Sequence, residues 1–128
     1  MNIWFILAAM IFLHIIDDYG LQAPCLCNLK QKSWWEQNAP GKLYANDYLW
    51  ALMMHGFSWS FMVMLPIAVA INFNVDINFF LMLIINVAFH AGIDDLKANK
   101  YCINLWVDQF CHIGQIIVTL ALYILEVF

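Results

Sequence analysis

Four apolar runs of about twenty residues each dominate this chain, at roughly 1–22, 48–71, 77–96 and 104–127. A helix that crosses a bilayer needs about 20 such residues, because each residue advances it by about 1.5 Å. The runs are too long for strands and lack a period of two, so a β-barrel does not compete. Only 11% of the residues are charged, against about 25% in an ordinary soluble domain. That leaves too little polar surface to cover a water-soluble globule. The expected fold is all-α: an integral membrane four-helix bundle forming one transmembrane domain over 1–128.

The N-terminal run lacks a basic leading region and a small-x-small cleavage site, so 1–22 reads as a retained helix rather than a signal peptide. The one long connection, 23–47, carries Leu26, Leu29, Trp34 and Trp35 among lysines and glutamines. That composition predicts an amphipathic segment lying at headgroup level, where tryptophan is favoured. It would act as an anchor that fixes tilt or as a gate for substrate. Pro66 falls inside the second run and predicts a kink. Cys25, Cys27, Cys102 and Cys111 include no Cys-x-x-Cys pair and read as small apolar residues near an interface.

There is no arginine, and all five lysines fall in two loops: Lys30, Lys32 and Lys42 after the first run, Lys97 and Lys100 after the third. If all four helices span, those loops share one side. By the positive-inside rule that side is cytoplasmic, with both termini outside, as in a bacterial inner membrane. The ten asparagines and the absence of arginine suggest an AT-rich genome, in a phage or a low-GC bacterium.

Each apolar run carries one histidine. His14 lies eight residues before Gln22, His55 eight after Asp47, His90 seven before Lys97 and His112 eight after Asn104. All four therefore sit roughly 10–12 Å below the lysine-bearing surface. Asp18, Asp94 and Asp108 are each four residues from a histidine and nearer that surface, so each pair shares one helix face. The second helix has Ala51 at the equivalent place. Polar stripes extend through Asn86, His90 and Asp94 on one helix and Asp108, His112, Gln115 and Thr119 on another, with Ser58 on the second. Gly56, Gly92 and Gly114 lie at the same depth and are expected to let the helices approach closely. Asp17, about 100° around from Asp18, is expected to face interfacial water. "HIIDD" and "HAGIDD" close the first and third helices, which suggests two repeated hairpins, 1–71 and 77–128.

Ionisable residues at membrane depth face the bundle interior and are functional by default. Imidazoles and carboxylates in two adjacent layers suit a divalent metal: Zn²⁺ first, with Mn²⁺ or Fe²⁺ as alternatives. The expected ligands are His14, Asp18, His55, His90, Asp94, Asp108 and His112, with some aspartates orienting histidines or one serving as general base. Gln22 and Gln109 would position substrate or water. Lys30, Lys32, Lys97 and Lys100 would ring the mouth and hold an anionic headgroup or phosphate, or else serve only as topology signals. This points to a metal-dependent hydrolase acting at the membrane surface, with the bilayer as its setting and no role in binding nucleic acid. Two alternatives stand beside it: a divalent-cation or proton transporter, and a non-catalytic accessory protein whose polar core only fixes packing. The almost wholly apolar outer half, past Asn86 and Thr119, argues for a dead-end cavity over a transport path.

The order His14-Asp18-Gln22, then Trp35, His55, His90-Asp94-Lys97 and Asp108-Gln109-His112 resembles the bacterial and phage membrane family catalogued as domain of unknown function 3307. The likeness spans nearly the whole chain. It implies a small multi-helix membrane protein whose signature is these polar positions, and it implies no activity. The motif style is also similar to that of membrane-bound metal-dependent hydrolases, which supports hydrolysis by analogy only.

Overall fold

The computed structural model describes residues 2–22 and 24–126. Side-chain caps start three of the long helices. Asn2 accepts from the Trp4 amide (2.9 Å), Asp76 from the Phe79 amide (3.0 Å) and Asn104 from the Val107 amide (3.0 Å), each satisfying a donor that has no partner within its helix. α1 covers Ile3–Ile15 and continues as a π-helical turn, Ile16–Leu21. Two short helices follow, α2 (Pro24–Leu29) and α3 (Lys32–Asn38), and then a 3₁₀ turn, Lys42–Tyr44. α4 spans Asp47–Ala70, α5 Ile77–Ala98 and α6 Leu105–Ile124. α4 runs unbroken through Pro66 and ends where the Phe73 amide reaches back to Ala68 O (2.7 Å), with Asn72 and Phe73 at positive φ.

Among the described residues, four helical stretches are long and apolar enough to cross a membrane: Ile3–Leu21, Lys42–Ala70, Ile77–Ala98 and Leu105–Ile124. They form a four-helix bundle in which α1 packs on α4 and α6, and α5 on α4 and α6. The outer surface is strongly apolar, with Trp4, Phe5, Phe61, Phe89 and Val118 all exposed. A water-soluble monomer rarely shows an apolar surface this continuous, and a bilayer would cover it.

The interior is divided along its length. One half is an apolar core built from Ile6 and Met10 of α1, Val63, Met64 and Ile67 of α4, Phe79, Met82 and Leu83 of α5, and Ile116 and Leu120 of α6. The other half holds His14, Asp17, His55, His90, Asp94, Asp108 and His112, all buried. The interfacial segment closes the polar end. Leu26, Leu29, Trp34 and Trp35 are all half-buried, and Trp35 donates to Leu29 O (2.8 Å). Asn99 ties the α2–α3 turn to the end of α5: its Oδ1 accepts from the Lys32 amide (2.7 Å) and its Nδ2 donates to Lys30 O (3.0 Å).

Of the three glycines at histidine depth, only Gly56 mediates a close approach. A Cβ there would lie 3.0 Å from Val87 O on α5, whereas at Gly92 and Gly114 it would meet nothing within 4 Å. The shared depth of these glycines says nothing of where each one faces. Gly56→Ala is expected to push α4 off α5 and cost about 1–3 kcal/mol. Gly92→Ala and Gly114→Ala should be neutral or slightly stabilising, since alanine is the better helix former. Thermal unfolding of the three variants in detergent checks this, and an equally silent Gly56→Ala would refute the close-packing assignment.

Candidate metal centre

The π-helical turn decides what α1 contributes. The Gln22 amide bonds to Asp17 O (3.1 Å), five residues back, so the turn holds more residues than an α-turn. Consecutive aspartates can then both point inward. Asp17 is 1% exposed, accepts from Ser58 Oγ (2.5 Å) and lies 3.5 Å from His55 Nδ1. The expectation that Asp17 faces interfacial water is therefore corrected. It had assumed α-helical spacing through a segment that does not keep it.

α4 supplies no carboxylate to this layer, but its histidine is surrounded by those of other helices. His55 Nε2 lies 3.5 Å from both Asp18 Oδ1 and Asp94 Oδ2. One turn deeper on the same face is Trp59, 0% exposed. Its ring stacks on His90 (centroids 4.3 Å apart, 20° between planes), and His90 in turn stacks on His112 (4.1 Å, 30°). Trp59 Nε1 donates to His14 Nδ1 at 2.7 Å. Since Nδ1 is the acceptor, the neutral His14 ring carries its proton on Nε2, which donates to Gln109 Oε1 (3.2 Å). Gln109 Nε2 then donates to Asp18 Oδ2 and Asp108 Oδ2, both at 3.2 Å. Both His14 nitrogens are thus engaged, and His14 orients its neighbours here rather than offering a free ligand atom.

Two lysines reach into this end of the bundle. Lys30, only 5% exposed, donates to Asp94 Oδ2 at 2.5 Å, and Lys97 donates to Asp108 Oδ2 at 2.5 Å. The Gln22 amide, oriented to suit its neighbours, accepts from Lys30 Nζ and donates to Asp18 O (3.1 Å). The other two candidate lysines lie outside. Lys32 is exposed, 3.9 Å from Glu36, and Lys100 is 3.1 Å from Asp95. A cavity of about 120 Å³ opens from the cluster, lined by Asp18, Tyr19, Gln22, Lys30, His55, Asp94, Lys97, Leu105 and Gln109.

Within the cluster, two groups bring ligand atoms within 4.8 Å of one another: Asp18, His55 and His90, and His90, Asp94 and His112. Both ring nitrogens of His90 and of His112 are buried without a hydrogen-bond partner among the described residues, as are Asp17 Oδ2, Asp18 Oδ1 and Asp108 Oδ1. Buried polar atoms are rarely left so, and each calls for an explanation. The nitrogen and oxygen donors fit Zn²⁺, Mn²⁺ or Fe²⁺.

Beyond the histidines the polar stripe ends at Asn86, Gln115 and Thr119, where Gln115 Oε1 is buried without a hydrogen-bond partner among the described residues. Asn86 Oδ1 accepts from Gln115 Nε2 (2.8 Å) and Thr119 Oγ1 (3.0 Å), and Asn86 Nδ2 contacts Met64 Sδ (3.6 Å). The apolar core lies past it. Residues 6–127 match the model of the family described as "Protein of unknown function (DUF3307)". No curated protein and no solved structure matches the chain.

Proposed function

This chain belongs to the DUF3307 family, and from that premise we propose that it is a membrane-embedded, metal-dependent hydrolase acting on a phosphate-bearing substrate at the bilayer surface. The observation that carries the reading is the pair of donor groups meeting at His90, with the ring nitrogens of His90 and of His112 buried and without a hydrogen bond among the described residues. His90, Asp94 and His112 are all buried and would hold the metal, Zn²⁺ first, with Mn²⁺ or Fe²⁺ as alternatives. A divalent ion bound there supplies a Lewis acid and lowers the pKa of a coordinated water toward neutrality.

The remaining roles belong to the chain's own side chains. Asp18 lines the mouth, and its Oδ1 has no hydrogen-bond partner, so it is placed to take the proton of an attacking water. His55, 3.5 Å from that oxygen, would share the proton. Gln109 holds Asp18 and Asp108 in position, and Gln22 with Lys30 forms the rim. The apolar core past Asn86, Gln115 and Thr119 supports a cavity open at one end over a transport path. The lysine-bearing end would face the cytoplasm of a bacterial cell, by the positive-inside rule.

Elemental analysis of protein purified without chelators tests the metal. About one divalent ion per chain is expected, removable by chelation and regained on adding Zn²⁺, Mn²⁺ or Fe²⁺. If no metal is found and none is regained, the hydrolase reading fails and the accessory-protein alternative takes its place. Ion flux in proteoliposomes that disappears in His90→Ala would favour the transporter instead.

A further inference from the structure

Lys30 belongs to the interfacial segment, yet its ammonium is buried against Asp94, a member of the His90–Asp94–His112 group. An ammonium is a compact point charge, and 2.5 Å from Asp94 Oδ2 it holds the electrostatic position that a cation bound by that carboxylate would claim. Two cations on one carboxylate repel each other, so a divalent ion bound there would loosen the hold on Lys30. The side chain has room to move, because Lys30 lines the 120 Å³ mouth cavity beside Lys97, and with Lys97 it also lines an adjoining cavity of about 330 Å³. Lys97 is paired to Asp108, which lies in neither donor group. The two lysines are therefore not equivalent toward a metal, although both face the mouth.

We propose that Lys30 is a displaceable counter-ion: a divalent cation takes the Asp94 carboxylate from it, and the released ammonium, beside Lys97, binds a phosphate group in the mouth cavity. This rests on the metal reading above. It adds an order of events, since anion binding follows metal binding, and it names phosphate as the group recognised. The cavity is sized for a single phosphate group, and it opens beside Tyr19 and Leu105, which are 62% and 55% exposed on the apolar surface of the bundle. Those two neighbours favour a phosphomonoester lipid headgroup over free phosphate.

Wild-type protein in detergent provides the first test. Amine labelling followed by peptide mass spectrometry should show Lys30 protected without metal, several-fold more reactive with saturating Mn²⁺, and protected again when inorganic phosphate is added. Labelling of Lys30 that ignores Mn²⁺, in protein shown separately to bind it, overturns the exchange while leaving the metal reading intact. Failure to bind any of Zn²⁺, Mn²⁺ and Fe²⁺ overturns both.

The variants make opposite-sign predictions. Lys30→Met should bind Mn²⁺ about tenfold more tightly, as coupled members of one charge network do, yet lose metal-dependent phosphate binding. Lys97→Met should weaken phosphate binding and leave Mn²⁺ affinity unchanged. A Lys30→Met protein that binds both ligands more weakly would show that the lysine only braces the fold. Short-chain phosphatidic acid binding about tenfold more tightly than inorganic phosphate supports the lipid source, and equal affinity supports a soluble phosphate. Absence of metal-dependent binding for either overturns the proposal.

Discussion

Asp94→Asn is expected to lower divalent-metal affinity by about 100-fold or more and to destabilise the bundle as well. Loss of an outer partner alone commonly costs 10–100-fold, and Asp94 is placed as a ligand. It touches more of the cluster than any single histidine pair does: Oδ2 faces Lys30 at 2.5 Å and His55 at 3.5 Å, and Oδ1 faces His112 at 3.4 Å. Asparagine keeps the shape and one oxygen but removes the carboxylate charge that favours a divalent ion. It also strands the Lys30 ammonium in a buried place, and breaking a buried pair from one side costs about 3–5 kcal/mol. The two losses separate in a double variant. Lys30→Met added to Asp94→Asn should restore much of the thermal stability, because no charge is then left unpaired, and it should not restore the metal. Titration with Mn²⁺ and thermal unfolding in detergent read the two effects independently. Wild-type Mn²⁺ affinity in Asp94→Asn would remove this residue from the ligand set.

How far the site was legible in the sequence depends on which physical rule each residue obeys. The spans follow from bilayer thickness, and the common depth of His14, His55, His90 and His112 follows from rise per residue, so both could be read from position alone. Facing requires the angular rule as well, and that rule changes inside Ile16–Leu21. A π-turn there brings in Asp17, which 3.6-residue spacing turns outward. Depth without facing also explains why a Cβ added at Gly92 or Gly114 would meet nothing within 4 Å while one at Gly56 would press on α5. Trp59 was missed because a tryptophan in an apolar helix reads as lipid contact. The signal that could have found it is its place four residues after His55, on the same face. Lys30 and Lys97 stood in sequence beside Lys32 and Lys100 as equivalents. What separates them is the docking of α2 and α3 through Asn99, a long-range contact that local spacing does not encode.

The second large effect falls on a residue that would touch neither metal nor substrate. Trp59→Phe is expected to weaken metal binding by about 10–100-fold, the range for partners that orient ligands from behind. Trp59 gives direction to a chain of hydrogen bonds: its indole N–H donates to His14 Nδ1, His14 Nε2 donates to Gln109 Oε1, and Gln109 Nε2 therefore points at Asp18 and Asp108. Indole can only donate, so the polarity of the whole chain is set at its buried end. Phenylalanine fills most of the volume and preserves an aromatic face against His90, but it leaves His14 Nδ1 without a donor. Such an unpaired buried acceptor costs about 1–3 kcal/mol, and a shift of the His14 proton to Nδ1 would relieve it. That shift turns His14 Nε2 into an acceptor facing Gln109 Oε1, so the Gln109 amide must flip and present its oxygen to two carboxylates. The outcome is a disordered Asp18–Asp108 pair beside an intact histidine stack. Trp59→Ala should lose about 3–5 kcal/mol through the cavity it opens, and it serves as the contrast. Nitrogen chemical shifts of His14 report the tautomer directly. If Trp59→Phe loses stability but keeps both the Nε2–H tautomer and wild-type metal affinity, Trp59 only packs. If the tautomer shifts and the metal weakens together, the indole sets the protonation pattern of the centre from outside it.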